Sequence, residues 1–272
     1  MLDLPTILTY FGYAFLAVEG AFTLYSLQEL VRVIRAYRAK SQVRADFLLN
    51  LRESLAEILF KGRVNTIVGI ISHEIAMLRY AFAWWSNIEQ KPHQTSFSTY
   101  KTSGYSMILS ILLSVGVIEM IGAHFLLTIL WNSTAALIVT VFSLYGALFL
   151  VSDMIAMRKR PTLTDDQGIL FRIGIRWTGK LDFAAIERVE FFHGSALSFE
   201  SRLDTRAVAN AVSMGKGNIR ITLKKPTEFL KSYGLRTSAQ ILVCTIDEPQ
   251  RFIEIVESGI AQYNTEAVME TA

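Results

Sequence analysis

Four side chains that could share a proton or bind a polar ligand lie inside apolar stretches of the sequence. Glu19, Glu119 and Tyr145 fall at similar depths in three hydrophobic segments, and His124 follows Glu119 by five residues. Ionisable groups are costly in the hydrocarbon core of a bilayer, so they normally face a bundle interior or a cavity. The four residues therefore predict an intramembrane polar cluster, either a proton or ligand site or a structural contact that fixes helix packing.

Other motifs that often carry chemistry are incomplete. His73-Glu74 resembles the start of a zinc-protease helix, but Met77 stands where the second histidine is required. The single cysteine, Cys244, excludes an internal disulfide and a thiolate zinc site, and Gly215–Gly217 lacks the frame of a phosphate loop. We therefore predict no catalytic residue, no metal ligand and no cofactor, and favour a non-enzymatic role while leaving enzymatic activity open.

Basic residues beside and within the C-terminal half predict a surface that docks on an anionic leaflet, at ~1 kcal/mol per residue near the membrane. These residues are Arg158, Lys159, Arg160, Arg172, Arg176, Arg220 and Lys224. The alternative is an ordinary solvated face, since Glu187 and Glu190 are interspersed. A net charge of +3 without a long basic tract gives no indication of nucleic-acid binding.

The elements that carry these residues begin with membrane spans. The 272-residue chain is 51% hydrophobic and only 19% charged, and its mean hydropathy is positive, +0.34. About 20 helical residues cross a ~30 Å hydrocarbon core, and we predict three spans, at 6–27, 104–130 and 134–157. A cleaved signal peptide is the alternative for the first span, but it would need a basic segment ahead of it.

Lysine and arginine residues give the predicted orientation. Five basic residues follow the first span within residues 32–44, the loop between the second and third spans is uncharged, and Arg158–Arg160 follow the third. By the positive-inside rule the N-terminus is outside, and segment 31–103 and everything after 157 are cytoplasmic. Amphipathic stretches at about 45–62 and 67–86 predict interfacial helices, with a fourth crossing as the alternative for 67–86.

The C-terminal half has the period of strands. Phe171, Ile173, Ile175 and Trp177 alternate with polar residues, which predicts one half-buried strand, and further strands follow up to residue 246. Asp247 is the predicted N-cap of a closing amphipathic helix. The predicted fold is thus an α-helical membrane domain, residues 1–160, joined to an antiparallel PH-like barrel with a C-terminal helix, residues 161–262, and a flexible tail, 263–272.

Several segments also resemble an uncharacterised family of bacterial integral membrane proteins with a C-terminal PH-like domain. They are Gly168–Arg176, Leu181–Val189, Gly217–Pro226, Gly234 and Asp247–Phe252 in the C-terminal half, and Glu74–Tyr80, Trp84, Lys101–Gly104, Glu119, His124 and Tyr145 in the membrane half. The resemblance covers roughly residues 50–260, and 194–217 departs most from it. The resemblance implies a multi-pass protein of the bacterial inner membrane. It implies no particular activity, because the family is uncharacterised.

Three functions remain open at this point, of which one is a membrane enzyme with a site at the cytoplasmic interface built on His73, Glu74 or Arg79. The leading expectation is a binding or scaffolding module at the membrane surface, with the bilayer, anionic headgroups, a protein or a second copy as partners. The alternative is an oligomeric transporter or proton-coupled device built on the polar cluster of Glu19, Glu119, His124 and Tyr145.

Overall fold

The structure is a computed structural model that describes residues 4–194, 208–212 and 214–271. Six α-helices and eight strands make up the described chain. The helices are α1 Leu4–Val43, α2 Phe47–Phe60, α3 Thr66–Phe82, α4 Tyr105–Leu130, α5 Ser133–Lys159 and α6 Pro249–Thr271. The strands are β1 Thr95–Phe97, β2 Thr162–Thr164, β3 Gly168–Ile173, β4 Trp177–Asp182, β5 Ile186–Gly194, β6 Val208–Ala211, β7 Gly217–Lys231 and β8 Arg236–Cys244.

Helices α4 and α5 are long and apolar enough to cross a membrane. They form an antiparallel hairpin whose turn is closed by Asn132, which accepts a hydrogen bond from the Ala135 amide at 2.8 Å. The predicted second and third spans coincide with these helices. The ends of α4 and α5 that lie away from this turn are packed inside the protein, because Tyr105 and Leu109 of α4, and Ser152 and Asp153 of α5, are buried.

The first predicted span lies within α1, a continuous helix of 40 residues that packs chiefly on α2. Large apolar side chains of α1, such as Phe15, Leu16 and Phe22, are exposed. Arg32 and Arg35 extend the same helix towards α2 without a break. The apolar segment and the basic segment that follows it therefore form one element.

Helices α2 and α3 occupy the two amphipathic stretches predicted between the spans. Asp46 and Asn65 cap them by accepting hydrogen bonds from the Leu49 and Val68 amides. Helix α3 buries Val68, Ala76 and Met77 against the rest of the protein. Its opposite face is apolar and exposed, as are the tryptophans that follow it: Ile67, Ile70, Ile71, Ile75, Leu78, Phe82, Trp84 and Trp85.

The strands form one open, mostly antiparallel sheet in the order β1-β2-β3-β4-β7-β8-β6, with β5 pairing β7. The pair β6–β8 is parallel. Strand β1 lies in the connection between α3 and α4, and it pairs with β2 through Thr95–Thr164 and Phe97–Thr162. The sequence did not predict this strand, and it brings part of the membrane half into the sheet.

The predicted single strand through residues 171–177 is wrong, because the chain turns at Gly174. Gly174 has φ +50°, a left-handed conformation suited to glycine. The turn separates β3 from β4 and aims Ile175 away from the sheet, into a cluster with Leu48, Met77 and Tyr80. The alternation in the sequence continues across the turn, so hydrophobic periodicity alone missed it.

Helix α6 covers the main core of the sheet. Phe252 and Val256 are fully buried, and Phe252 stacks edge-on with Phe97 of β1 at 5.1 Å. The helix continues to Thr271, through most of the segment 263–272 that was predicted as a tail. Residues 260–271 contain no glycine or proline, the residues that most strongly disfavour a helix, so the sequence has no residue that would end the helix near position 263.

Asp247 does not cap α6 through its side chain as predicted. Its carboxylate instead accepts hydrogen bonds from the amides of Tyr100, Lys101 and Thr102 at 2.8–3.2 Å and from the Thr102 hydroxyl at 2.6 Å. These hydrogen bonds hold the pKa of Asp247 below its usual value despite burial. Asp247 thereby fastens the end of the sheet to the entry of α4.

A second close approach joins the sheet to α3. The β7–β8 turn, Ser232–Gly234, lies directly on Gly69, where a methyl group would overlap the Tyr233 carbonyl. Tyr233 itself has φ +59°, which is unusual for a residue other than glycine. Glycine at position 69 is therefore required by packing and not by its own backbone conformation.

We expect Gly69→Ala to lower the stability of the purified full-length protein by about 1–3 kcal/mol, because the turn must move away from α3. Thermal unfolding in detergent would measure this loss. Gly122→Ala is the matched control, since a methyl group there meets open space. Equal midpoints for the two variants would show that the turn does not depend on this contact.

Candidate functional site at the helix–sheet junction

One buried carboxylate joins the membrane half to the sheet. Asp46, ahead of α2, accepts hydrogen bonds from Arg160 Nη2 at 2.8 Å and from Arg172 Nη1 at 3.3 Å. Arg160 directly follows α5 and Arg172 lies on β3, and all three side chains are fully buried. The trio therefore fixes the start of α2, the end of α5 and the sheet relative to one another.

The guanidinium groups of this trio are also held by backbone carbonyls. Arg172 donates to Pro161 and Glu89 at 2.8 Å and to Ala45 at 3.0 Å. Arg160 donates to the Gly174 carbonyl in the β3–β4 turn and to the Thr178 hydroxyl. Because buried charges are tolerated only when paired and hydrogen-bonded, these contacts make the junction stable in its buried state.

Glu89 adds a second carboxylate to the junction. It accepts hydrogen bonds from the Phe47 amide at 3.0 Å and from the Tyr80 hydroxyl at 2.7 Å, and its Oε2 lies 3.8 Å from Arg160 Nε. Burial and the nearby Asp46 charge raise the pKa of Glu89. Burial raises the pKa of Tyr80 as well, so the phenol stays a proton donor.

Asp46 is the carboxylate that stays ionised. Burial alone would raise its pKa, but the charges of Arg160 and Arg172 and the Leu49 amide hold the pKa well below its usual value. Asp46 also lies at the N-terminus of α2, where the helix dipole favours a negative charge. Asp46 is thus firmly charged, whereas Glu89 binds a proton more tightly than an ordinary glutamate does.

Two of the residues predicted to face the membrane surface are the cations of this junction. The prediction that Arg160 and Arg172 face outward is wrong, since both side chains are 0% exposed. The carbonyls and Asp46 that surround them come from distant parts of the chain. The alternation of side chains along β3 predicts the side of the sheet on which Arg172 lies. It does not predict that the start of α2 covers that side.

The other predicted basic residues are divided between paired and exposed positions. Arg176 forms an ion pair with Asp153 at 2.8 Å, Arg220 pairs with Glu190, and Lys159 donates to the Ser86 carbonyl. Arg158 and Lys224 are exposed. Most of the predicted basic surface is therefore engaged in contacts within the protein.

Arg52 and His73 lie beside the junction, and sequence analysis did not single out Arg52. Arg52 Nε contacts Ser72 Oγ at 3.3 Å, and both residues are buried. His73 is 0% exposed and lies against Tyr233, with ring centroids 4.0 Å apart. Burial, followed by the charges of Arg52 and Arg160, lowers the pKa of His73 to about 4.

The hydrogen bonds of the predicted intramembrane cluster run to other residues. Tyr145 donates to Glu74 of α3 at 2.7 Å, and His124 Nδ1 lies 2.8 Å from the Thr140 hydroxyl. Glu119 lines a groove of about 310 Å³ between α4 and α5, together with Gly116, Ala123, Ser143, Gly146 and Ala147. Glu19 is exposed on α1, which packs chiefly on α2.

A surface groove lies at the C-terminal end of α1. It has a volume of about 550 Å³ and mixes acidic, basic and apolar side chains, among them Arg44, Leu49, His93, Asp166, Leu170 and Lys180. Asp165 shapes its floor by accepting hydrogen bonds from the amides of Gln167 and Gly168 and from the Gln94 side chain. The groove can therefore bind a ligand that offers both charge signs and an apolar part.

Within the residues that the structure describes, no group of three or more His, Cys, Asp or Glu side chains is placed to hold a metal ion. Cys244 is buried, and burial raises the pKa of its thiol to about 12. Comparison with known proteins gave no match to a family model, a curated protein or a solved structure.

We expect Asp46→Asn to destabilise the protein by about 3–5 kcal/mol, because it leaves two buried guanidinium groups without their shared countercharge. Chemical or thermal unfolding of the full-length protein in detergent would measure the loss. Asp166→Asn, which removes an exposed carboxylate, should change stability by no more than about 0.5 kcal/mol. Similar values for both variants would contradict the central place of Asp46.

The depressed pKa of His73 gives a pH dependence with a definite sign. The folded state holds the neutral ring, with a pKa of about 4 against an ordinary value of 6.5. The stability contributed by the neutral ring is therefore complete above pH 6.5 and is lost as the pH falls from 6.5 towards 4. We expect His73→Phe to lose less stability than the wild type over this interval.

Unfolding midpoints of the two proteins at pH 7.5, 6, 5 and 4 would measure the difference. The control is His93→Phe, which changes an exposed histidine and should follow the wild type at every pH. A His73→Phe profile parallel to that of the wild type would contradict the assignment.

Proposed function

We propose that this protein is a multi-pass protein of the bacterial inner membrane whose cytoplasmic sheet domain is a binding or scaffolding module held at the membrane surface. The observation that carries the proposal is the shared carboxylate Asp46, on which Arg160 and Arg172 converge from the two halves of the chain. A domain that only needed tethering would require no such contact. The fixed junction supports a role in which the orientation of the module matters.

Three spans with the N-terminus outside are part of this proposal. The exposed apolar stretch of α4 begins just after Leu109, and that of α5 ends just before Ser152. Each stretch is about 20 residues long, which is the length needed to cross a bilayer. Trp131 lies at the outer turn, as expected for a residue at a membrane interface. The exposed apolar segment of α1 is the third candidate span, and the exposed apolar face of α3 is suited to the inner interface.

A PH-like character of the sheet domain is likewise proposed. Its support is the element order, with mostly antiparallel strands followed by a C-terminal helix that packs on the sheet through Phe252 and Val256. The segments that resemble the bacterial family fall on β3, β4, β5, β7 and the start of α6. The family that these segments resemble has no established activity, so the proposed function rests on the site.

We place the binding surface at the groove near Val43 and Lys180, and propose that the partner is a protein segment. Val43 ends α1 sixteen residues beyond Leu27, which corresponds to about 24 Å along the helix. This distance supports a soluble partner over a lipid headgroup. The groove also presents carboxylates of Asp165 and Asp166 beside Lys180, a mixture that suits a peptide better than a phosphate.

A site-specific photo-crosslinking experiment in cells tests this placement. We expect a photoreactive residue at Asp166 or Lys180, both exposed, to give the same discrete protein adduct. The control position is Glu254, which is exposed on α6 and does not line the groove. Adducts that appear equally from all three positions, or from none of them, would refute the groove as the binding surface.

A further inference from the structure

Buried positive charge exceeds buried negative charge at the helix–sheet junction. The guanidinium groups of Arg52, Arg160 and Arg172 are buried there, together with the carboxylates of Asp46 and Glu89. Asp153, the other buried carboxylate near this region, forms its ion pair with Arg176. One buried cation is therefore left over, and a buried ion without a partner is strongly unfavourable.

Arg52 is the cation without a close countercharge. Asp46 is engaged by Arg160, Arg172 and the Leu49 amide, and Glu89 by Tyr80 and the Phe47 amide. Arg52 Nε meets only the neutral Ser72 hydroxyl among the described residues, and Arg52 Nη2 has no hydrogen-bond partner there. The charge nevertheless persists, since burial lowers the pKa of Arg52 only to about 10.

His73 supplies a second unused polar group, close enough to Arg52 that the Arg52 charge adds to burial in lowering the pKa of His73. Neither Nδ1 nor Nε2 of His73 has a hydrogen-bond partner in the described part of the chain, and the side chain is 0% exposed. A neutral imidazole carries one N–H donor and one acceptor nitrogen, whichever nitrogen holds the proton. Ser72, adjacent in sequence, accepts a hydrogen bond from Arg52 Nε and donates its own proton to the Gly69 carbonyl at 3.1 Å, so it leaves no donor free. The unused N–H groups of Arg52 Nη2 and His73 thus outnumber the one unused acceptor, the unprotonated nitrogen of His73.

The surrounding elements enclose this group of donors. Phe149 of α5 stacks on His73 with centroids 6.0 Å apart, and Tyr233 covers it at 4.0 Å. Tyr233 adopts a left-handed backbone conformation in this turn, a strain that persists only where the surroundings fix it. Any ligand here must be small, because Arg52, Ser72 and His73 are all buried.

We propose that Arg52, Ser72 and His73 form a buried binding site for a monatomic anion of the size of chloride. The anion supplies the negative charge that Arg52 lacks and accepts hydrogen bonds from Arg52 Nη2 and from the His73 N–H. It links α2 to α3 beneath the β7–β8 turn. A water molecule could accept the same hydrogen bonds but would leave the charge of Arg52 uncompensated.

Thermal unfolding of the purified full-length protein in detergent, with chloride replaced by gluconate at constant ionic strength, tests the proposal. A ligand at 100 times its Kd stabilises the folded state enough to raise the midpoint by about 5 °C or more. We expect a saturable rise of this order with chloride and with bromide. Arg52→Gln should abolish it, whereas Arg63→Gln, which removes an exposed arginine, should retain it.

Bromide soaked into crystals of the wild-type protein gives a direct and independent measurement, which remains available if Arg52→Gln fails to fold. We expect an anomalous-scattering peak within contact distance of Arg52 and His73. Equal midpoints in chloride and gluconate, together with no such peak, would overturn the proposal and assign the site to water. Retention of the chloride effect in Arg52→Gln would overturn it as well.

Discussion

A carboxylate buried between two guanidinium groups is stable only while both cations stay in place, and this constraint organises the protein around Asp46. Its position at the N-terminus of α2 provides an amide and a favourable helix dipole, while Arg160 and Arg172 provide the countercharges. Neither arginine could leave without exposing an uncompensated charge in the interior. The same two arginines also donate hydrogen bonds to backbone carbonyls, and so hold the segments that carry these carbonyls in the junction. The carbonyls belong to Ala45, Pro161, Glu89 and Gly174. The junction thus fixes several chain segments at once.

The structural unit consequently crosses the boundary that the chain order suggests at residue 160. Arg160 lies at that boundary and is itself one of the buried cations. Strand β1, from the connection ahead of α4, forms one edge of the sheet, and Asp247, from the end of the sheet, holds the amides of Tyr100, Lys101 and Thr102. Several contacts between the two halves join residues more than a hundred positions apart, such as Asp46 with Arg172 and Tyr100 with Asp247. Each half therefore supplies partners for charges that are buried in the other, as in the ion pairs Arg172–Asp46 and Arg176–Asp153.

The sequence predicts the features of this protein that arise from local periodicity. The hairpin of α4 and α5, the amphipathic α2 and α3 and the closing helix all follow from apolar spacing or turn residues, and the structure contains them. The β3–β4 turn was missed because alternation continues through Gly174, and β1 was missed because three residues carry too weak a signal. Arg160 and Arg172 were predicted on a surface, since charged side chains usually are exposed. Their burial depends on Asp46, and pairing between residues so distant leaves no trace in spacing or composition.

The junction also limits how the groove near Val43 and Lys180 can bind the proposed partner. Arg44 and Leu49, which line it, flank Asp46, and Arg44 is tied to Asn50 and Glu53 at 3.0 and 2.7 Å. A ligand that displaced this backbone would separate Asp46 from both arginines, at a cost greater than a typical single contact can offset. Recognition must therefore use the exposed side chains of the β2–β3 turn and β4, such as Asp166 and Lys180, against a backbone that stays in place. Because α1 ends at Val43 in the same groove, the groove keeps a fixed position relative to α1.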